Sequence, residues 1–290
     1  MQPVEVERFC QHLRSRNYSR HSIASYALDL QLFFAEIKKP VSQITWRDVD
    51  HFIEQQHGHG LAATTINRRL HAVKRFFDYL VVETERLPAN PVKPSHFLKQ
   101  GRPLPKKLSG QQVKQLFATI SNRMDRALFL LMLRCGLRVS EVAQLKLSDI
   151  DWEQKAMLVS QGKGRKDRRV YLSVDALESL RECLPIRPAV VPGEHFFWNQ
   201  KRKNQSLSVK AIQKKMERYA KAGEVAASCH SLRHTFASNL LEEGAEVISI
   251  KEFLGHESIS TSERYARLSN QKVKQVYLQT IKKVIQKTKV

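Results

Sequence analysis

The sequence predicts a mostly α-helical protein of two domains, with one small β-hairpin or sheet in its C-terminal domain, an α+β arrangement. Three observations predict it. Apolar residues recur at a helical period of about 3.6 through roughly the first 95 of the 290 residues. A stretch rich in proline then interrupts that period. Farther along, two short apolar runs flank Gly162-Lys163-Gly164, as the strands of a hairpin flank its turn.

Apolar spacing predicts four helices in the N-terminal domain, residues 1–95. The first begins near Val4. Ser19 and Thr45 have the short hydroxyl side chains that cap helix N-termini, so we expect them to precede the second and third helices. The fourth helix opens at Thr64 or Thr65 and continues to about residue 80.

The fourth helix is expected to have a basic exposed face, formed by Arg68, Arg69, Lys74 and Arg75. A solvated helix surface is one interpretation of that face. The whole chain, however, has 49 Lys+Arg against 28 Asp+Glu and a formal net charge of +21. This balance indicates a polyanionic partner, so we favour contact between these four side chains and a DNA backbone.

A linker is predicted at residues 96–107, between the N-terminal domain and a C-terminal domain of residues 108–290. The linker and the residues just before it contain Pro88, Pro91, Pro94, Pro103 and Pro105. Prolines at this density stop helices and favour an extended chain. The basic residues among them suggest that the linker follows a phosphate backbone.

In the C-terminal domain, apolar spacing predicts helices at 109–121, 124–135, 139–145, 174–184, 208–222, 231–243, 246–254, 259–266 and 270–287. Strands at 156–159 and 169–172 form the predicted hairpin. The helix at 124–135 is strongly apolar and should be buried. The last helix is very basic.

Composition disfavours three classes of protein. No window approaches the ~18 apolar residues that span a bilayer, and the basic residues are not gathered on one amphipathic helix as on a membrane-surface protein. The N-terminus lacks the basic and apolar regions of a secretion signal. The cysteines, Cys10, Cys135, Cys183 and Cys229, lie far apart, which favours reduced thiols in a cytoplasmic protein over disulfides or a zinc site.

Four motifs in the C-terminal half contain residue types suited to attacking a phosphodiester without a metal. They are Cys-Gly-Leu-Arg-Val-Ser-Glu (135–141), Gly-Lys-Gly-Arg-Lys-Asp-Arg (162–168), His-Ser-Leu-Arg-His (230–234) and Leu-Gly-His (254–256), with a tyrosine nine residues after the last. The candidate catalytic residues are Arg138, Lys163, His230, Arg233, His256 and Tyr265.

Each residue type meets one need of that reaction. The planar guanidinium groups of Arg138 and Arg233 can pair bidentately with phosphate oxygens and stabilise the charge that develops on them. A tyrosine hydroxyl, whose pKa is about 10, can attack when a histidine takes its proton. A lysine on a hairpin turn, Lys163, can protonate the leaving 5′ oxygen.

Each candidate also has a plain structural interpretation. Arg138 could be a cation at a helix end, and Tyr265 is one of seven tyrosines. Lys163 could belong to a phosphate loop, although the spacing Gly-x4-Gly-Lys-Ser/Thr is absent. His230 and His234 have the spacing of a zinc pair, although His-Glu-x-x-His is absent. Singly, most of these residues would be structural; their joint occurrence favours catalysis.

In this order, the motifs resemble those of the tyrosine recombinase (phage-integrase-like) superfamily, most closely its Xer-type members. The resemblance covers nearly the whole chain, with a core-binding, SAM-like domain first and a catalytic domain from about residue 106. By motif, the resemblance assigns Arg138 and Arg233 to a phosphate clamp, Lys163 to the general acid, His230 and His256 to the active-site histidines, Tyr265 to the nucleophile and Glu141 to a supporting acid.

The resemblance implies a site-specific recombinase that closes as a two-domain clamp on double-stranded DNA core sites. Strand exchange would pass through a covalent 3′-phosphotyrosine and a Holliday junction, within a homotetramer or a heterotetramer with a related recombinase. No metal or cofactor is implied. The location would be cytoplasmic, on the bacterial nucleoid, and the role would be dimer resolution of chromosomes or plasmids, or mobile-element integration and excision. The tail helix, 270–287, would dock on a neighbouring subunit or contact DNA.

Two alternatives remain open at this point. A type IB topoisomerase would share the chemistry but relax DNA without choosing a site, and the separate N-terminal helical domain argues against it. A non-catalytic DNA-binding protein of the same fold is expected to have lost at least one of the six candidate catalytic residues, whereas all six are present.

Overall fold

The computed structural model describes residues 3–99, 107–160, 167–189, 191–201, 205–255 and 270–288. These residues fall in two compact units, unit 1 within Met1–Pro103 and unit 2 within Leu104–Val290. They are mostly helical with one small antiparallel sheet, so the predicted fold class is confirmed. No helix in the described part of the chain is long and apolar enough to cross a membrane.

Unit 1 is helical. Its helices are α1 (Val4–Ser15), α2 (Arg20–Ile37), α3 (Trp46–Gly58) and α4 (Ala63–Asp78), and a π-helical turn, Tyr79–Glu83, follows α4. Two of the predicted caps are confirmed. The Ser19 hydroxyl accepts a hydrogen bond from the Ser22 backbone N–H at 3.0 Å. The Asp48 carboxylate accepts from the backbone N–H and the hydroxyl of Thr45, at 2.8 and 2.9 Å.

The predicted start of α4 was wrong. The helix begins at Ala63, and Ala62 is its N-cap, without a side-chain hydrogen bond. The Ala62 carbonyl accepts the first hydrogen bonds, from Thr65 and Ile66. The first turn of α4 therefore lacks the side-chain acceptor that a serine or threonine N-cap would supply.

Phenylalanine rings fill the core of unit 1. Phe33 is fully buried and meets Phe34, Phe52 and Phe77 edge-on, with ring centroids 5.3, 5.0 and 6.4 Å away. These rings come from α2, α3 and α4, so one aromatic cluster holds three helices together. Edge-to-face pairs of this kind are favourable beyond the apolar area that they bury.

Unit 2 contains both helices and the sheet. Its helices are α5 (Gly110–Ala118), α6 (Arg123–Cys135), α7 (Val139–Gln144), α8 (Val174–Cys183), α9 (Val209–Ala222), α10 (Cys229–Glu242), α11 (Val247–Leu254) and α12 (Asn270–Lys287). The predicted helix at 259–266 lies outside the described residues.

The sheet is antiparallel in the order β1 (Ile150–Asp151), β2 (Ala156–Val159) and β3 (Arg168–Tyr171). The predicted hairpin is confirmed, with Ala156 opposite Tyr171 and Val159 opposite Arg168. The sequence prediction missed β1, because a strand of two residues is too short to show an alternating pattern. The hairpin turn falls within 161–166, outside the described residues.

Helix α6 is the centre of unit 2. All its residues from Met124 to Cys135 except Arg126 are buried, and it packs on α8 and α10. The wholly buried Arg134 donates from Nε to Asp175 at 2.8 Å, and from Nη1 and Nη2 to the hydroxyl and carbonyl of Thr288, at 2.7 and 2.9 Å. A buried guanidinium needs such partners, because an unpaired buried charge is costly.

The tail helix α12 packs on its own unit. Its buried face comprises Tyr277, Ile281 and Val284, in one cluster with Phe236 and Phe253. The Tyr277 hydroxyl also donates to the carbonyl of Arg134 at 3.0 Å. The apolar face of α12 therefore packs on α10, α11 and the sheet of the same chain, and the expectation that the tail helix docks on a neighbouring subunit or contacts DNA stays a prediction.

Candidate active site

Arg138 occupies a short connection between two helices. Gly136 ends α6 in the left-handed region, with φ of +66°, and Arg138 is the N-cap of α7. Its backbone N–H donates to Glu141 Oε2 at 2.7 Å, and its Nη1 donates to Glu141 Oε1 at 2.6 Å. Its Nη2 donates to the carbonyl of Gly255 at 2.8 Å. The Arg138 side chain is 23% exposed, so it can still reach a ligand.

Arg168, at the start of β3, completes the pairing of Glu141. Its Nη1 and Nη2 donate to Glu141 Oε1 and Oε2, at 2.9 and 2.7 Å, in a bidentate ion pair. Its Nε donates to the carbonyl of Phe253 at 2.9 Å. Sequence reasoning gave Arg168 no role. The signal was present, since Arg168 is the last residue of the motif at 162–168.

Arg233, on the first turns of α10, is the most buried of the three arginines, with a side chain 7% exposed. Its Nη1 donates to the carbonyl of Gly136 and lies 3.8 Å from Glu141 Oε2. Its Nη2 donates to the carbonyl of Leu254 at 2.5 Å. Arg233 therefore ties α10 both to the end of α6 and to the end of α11.

Three consecutive carbonyls at the C-terminal end of α11 each accept from one of these arginines. Phe253 accepts from Arg168, Leu254 from Arg233 and Gly255 from Arg138. The last carbonyls of a helix have no partners within the helix and carry partial negative charge, which cations stabilise. The arginines thus hold the chain at the point where the Leu-Gly-His motif begins.

The charges of this cluster leave it basic. Burial alone raises the pKa of Glu141, but the hydrogen bonds and charge of Arg168, together with the hydrogen bonds of Arg138, outweigh it and bring the pKa to about 2. Burial, helped by the nearby charges of Arg138 and Arg168, lowers the pKa of Arg233 to about 10. Glu141 is therefore a carboxylate at neutral pH, and three guanidinium groups face one negative charge.

His230 lies beside this cluster, at the start of α10. It is exposed and, with Arg138 and Arg233, lines a cleft of about 530 Å³. Its ring meets that of His234 edge-on, with centroids 4.2 Å apart. Partial burial, then the charges of His234 and Arg233, lower the pKa of His230, so its ring is neutral at neutral pH and can accept a proton.

The structure thus brings together Arg138, Glu141, His230 and Arg233, all within unit 2. Lys163, His256 and Tyr265 lie outside the described residues. Among the residues that the structure describes, no group of three or more His, Cys, Asp or Glu side chains could hold a metal ion. The four cysteines are buried and free.

The basic face predicted on α4 is only partly exposed. Arg68 and Arg75, seven residues apart, lie on the same exposed side of the helix. Arg68 forms an ion pair with the buried Asp29, and Arg75 donates to the hydroxyl of Tyr18 and lies 4.9 Å above its ring. Both guanidinium groups are held in place while remaining open to solvent.

Arg69 and Lys74 are half-buried and point to other sides of α4. With 3.6 residues per turn, they lie roughly 100° and 120° away from Arg68. Arg69 donates to Gln56, and Lys74 forms an ion pair with Asp78 at 2.7 Å. The single four-residue face drawn from the sequence was therefore too broad.

Comparisons with known proteins match both parts of the chain. Residues 106–272 match the model of the phage integrase family, and residues 6–84 match the phage integrase N-terminal SAM-like domain. Tyrosine recombinase XerA of Pyrococcus furiosus is 33% identical over 275 residues, which cover 93% of this chain and 91% of that protein. Tyrosine recombinase XerC of Vibrio atlanticus is 34% identical over 297 residues, 98% of this chain and 94% of that protein.

Among solved structures, a lambda integrase tetramer bound to a Holliday junction shares the fold. The TM-score is 0.71 at 20% sequence identity, and the match covers 90% of this chain and 79% of the integrase chain.

Proposed function

We propose a strand-cleavage mechanism for this chain on the premise that it belongs to the phage integrase family of tyrosine recombinases. As a member, it is a site-specific recombinase, an enzyme that breaks and rejoins DNA strands. The type IB topoisomerase alternative is not favoured, because the relatives that match nearly the whole chain are recombinases.

One observation supports the mechanism most strongly: Arg138, His230 and Arg233 line one cleft. In our proposal, the scissile phosphate binds there. Each guanidinium has five N–H donors, and bonds to described residues engage two of them in Arg138 and two in Arg233. Donors therefore remain for the phosphate oxygens, whose negative charge grows in the transition state.

We assign the chemical step to Tyr265. Its hydroxyl oxygen bonds to phosphorus while the bond from phosphorus to the 5′ oxygen breaks, and the phenolic proton passes to the neutral His230. Lys163 gives a proton to the leaving 5′ oxygen, and His256 supports the phosphate from the segment after α11. The 3′-phosphotyrosine keeps the energy of the broken bond, so religation is the same step in reverse.

We further propose a DNA substrate, an assembly and a cellular location for this enzyme. The enzyme acts on double-stranded DNA core sites, with its two domains as a clamp: a core-binding domain (1–95), a linker (96–107) and a catalytic domain (108–290). It works in the cytoplasm as a tetramer, of itself or with a related recombinase, through a Holliday junction. Arg68 and Arg75 of α4 contact the DNA backbone. Dimer resolution or mobile-element movement is its role.

The Tyr265→Phe variant tests the nucleophile. Phenylalanine keeps the ring but has no oxygen to bond to phosphorus, so covalent adducts should vanish while DNA binding persists. Nicked suicide duplexes carrying candidate core sites, resolved on denaturing gels, measure the adduct, and mobility shift measures binding. Tyr26→Phe, a half-buried tyrosine of unit 1, is the control and should form adducts as wild type does. Adducts in Tyr265→Phe would refute this assignment.

A further inference from the structure

We infer that Arg168 is a positioning residue for strand cleavage, which fixes Glu141 and the end of α11 so that Arg138 and Arg233 are aimed at the scissile phosphate. This inference rests on the proposed function and extends it to a residue that the proposed mechanism does not use.

Arg168 acts on the other groups rather than on a ligand. All three of its nitrogen atoms already donate, two to Glu141 and one to the carbonyl of Phe253. Its side chain is 11% exposed, about half the value of Arg138. A planar guanidinium held at both ends in this way has one orientation, so it can serve as a rigid brace between β3, α7 and α11.

The backbone at Gly255 lies directly against the Arg168 side chain. Gly255 has φ of +59°, and a Cβ atom there would lie 3.2 Å from both Cδ and Nη1 of Arg168. A side chain at 255 would therefore press on the guanidinium. Gly255 also accepts the hydrogen bond of Arg138 Nη2, so Arg168 packs on the residue that orients Arg138.

Glu141 is the link through which Arg168 reaches Arg138. The charged groups that face Glu141 are Arg138 from the start of α7, Arg168 from β3 and Arg233 from α10. Without Arg168, the carboxylate loses its bidentate partner and stays buried, which raises its pKa. A protonated Glu141 can no longer accept from both the backbone N–H and Nη1 of Arg138. The Arg138 side chain is then no longer held in the orientation that faces the scissile phosphate.

The Arg168→Gln variant tests this in single-turnover cleavage of suicide duplexes. We expect cleavage to slow by about 10²-fold, since small misplacements of a clamp have effects of this size. The ratio of the variant rate to the wild-type rate should fall further as pH decreases, because Glu141 takes up its proton at a higher pH in the variant than in wild type. A purely structural role would lower the ratio equally at every pH.

Three further variants sharpen the test. Arg169→Gln removes the next residue of the same strand, whose Nη2 pairs with Asp151 at the surface, and should cleave within about twofold of wild type. Arg168→Lys keeps the charge but not the bidentate geometry, and should show an intermediate loss. Adding Glu141→Gln to Arg168→Gln removes the titrating group, so the rate ratio should no longer depend on pH.

A measurement without DNA separates this inference from the proposed function. In protein labelled with 13C at glutamate carboxyls, the Glu141 signal is identified by its loss in Glu141→Gln. We expect it to titrate at higher pH in Arg168→Gln than in wild type, and as in wild type in Arg169→Gln. An unchanged Glu141 titration, or a pH-independent loss of cleavage, would overturn the inference. Absent adducts in wild type would overturn the proposed function, and the titration would still decide whether Arg168 sets the charge of Glu141.

Discussion

At the scale of single residues, three arginines of one cluster differ in what they can do because they differ in exposure and in partners. Arg138 is the most exposed and keeps donors toward the cleft. Arg233 lines the same cleft but is nearly buried and joins two helix ends. All three side-chain nitrogen atoms of Arg168 donate hydrogen bonds, two to Glu141 and one to the carbonyl of Phe253. Glu141 lies within 4 Å of all three arginines.

The charge of Glu141 should make the stability of unit 2 depend on pH. Its pKa falls from an ordinary 4.5 to about 2 in the folded chain, so its contribution is complete above about pH 5 and is lost as pH falls toward 2. At roughly 1.4 kcal/mol per pKa unit, the contribution is about 3 kcal/mol. Glu141→Gln should therefore be less stable than wild type at pH 7, with the gap closing in acid.

Urea unfolding between pH 7 and pH 2 measures that gap. Glu153→Gln, at an exposed glutamate of the same unit, is the control and should follow wild type throughout. A gap for Glu141→Gln that stays constant over this range would contradict the assignment of a charged, ion-paired Glu141.

At the scale of elements, the site depends on how helices end. Helix α6 ends at Gly136, which lets the chain turn and place Arg138 two residues later at the start of α7. Helix α11 ends at Leu254 and is followed by Gly255, and the carbonyls of residues 253–255 accept from the three arginines. Both glycines have positive φ, which other residues adopt only at a cost.

Gly136→Ala should destabilise unit 2 by more than the backbone cost of placing alanine in the left-handed region. The added Cβ would lie 2.5 Å from Cδ1 of Phe236, whose ring is in a packed core. We expect about 1–2 kcal/mol from the backbone and a further ~1–3 kcal/mol from overpacking. Gly244→Ala is the matched control, since Gly244 has φ of +85° but no atom within 4 Å of its Cβ position. Equal losses in urea unfolding would disprove the steric contribution.

At the scale of the whole molecule, the described residues form two units with separate cores. The core of unit 1 is one cluster of helix side chains, and that of unit 2 comprises two clusters around α6 and α10. Each unit buries its own apolar residues, which is the property that lets a domain fold alone. The net charge of +21 is a property of the whole chain and suits a polyanionic partner.

Two units with separate cores should unfold in two transitions. Leu70 in unit 1 and Leu131 in unit 2 are both fully buried, so truncating either to alanine should cost its own unit about 2–5 kcal/mol. Calorimetry should show that Leu70→Ala lowers one transition temperature and Leu131→Ala the other. A single transition that both variants lower equally would contradict independent units.

The sequence by itself determined the fold class, most helices to within two or three residues, and the family. Helix periodicity, hydroxyl caps and ordered motifs are local, and local patterns can be counted along a chain. The tertiary structure alone decided that Arg168 pairs with Glu141, that Arg138 and Arg233 line one cleft, and that α12 packs on α10 and α11. Residues 141 and 168, or 134 and 288, are distant in sequence, and only packing brings a buried charge to the partner that it requires.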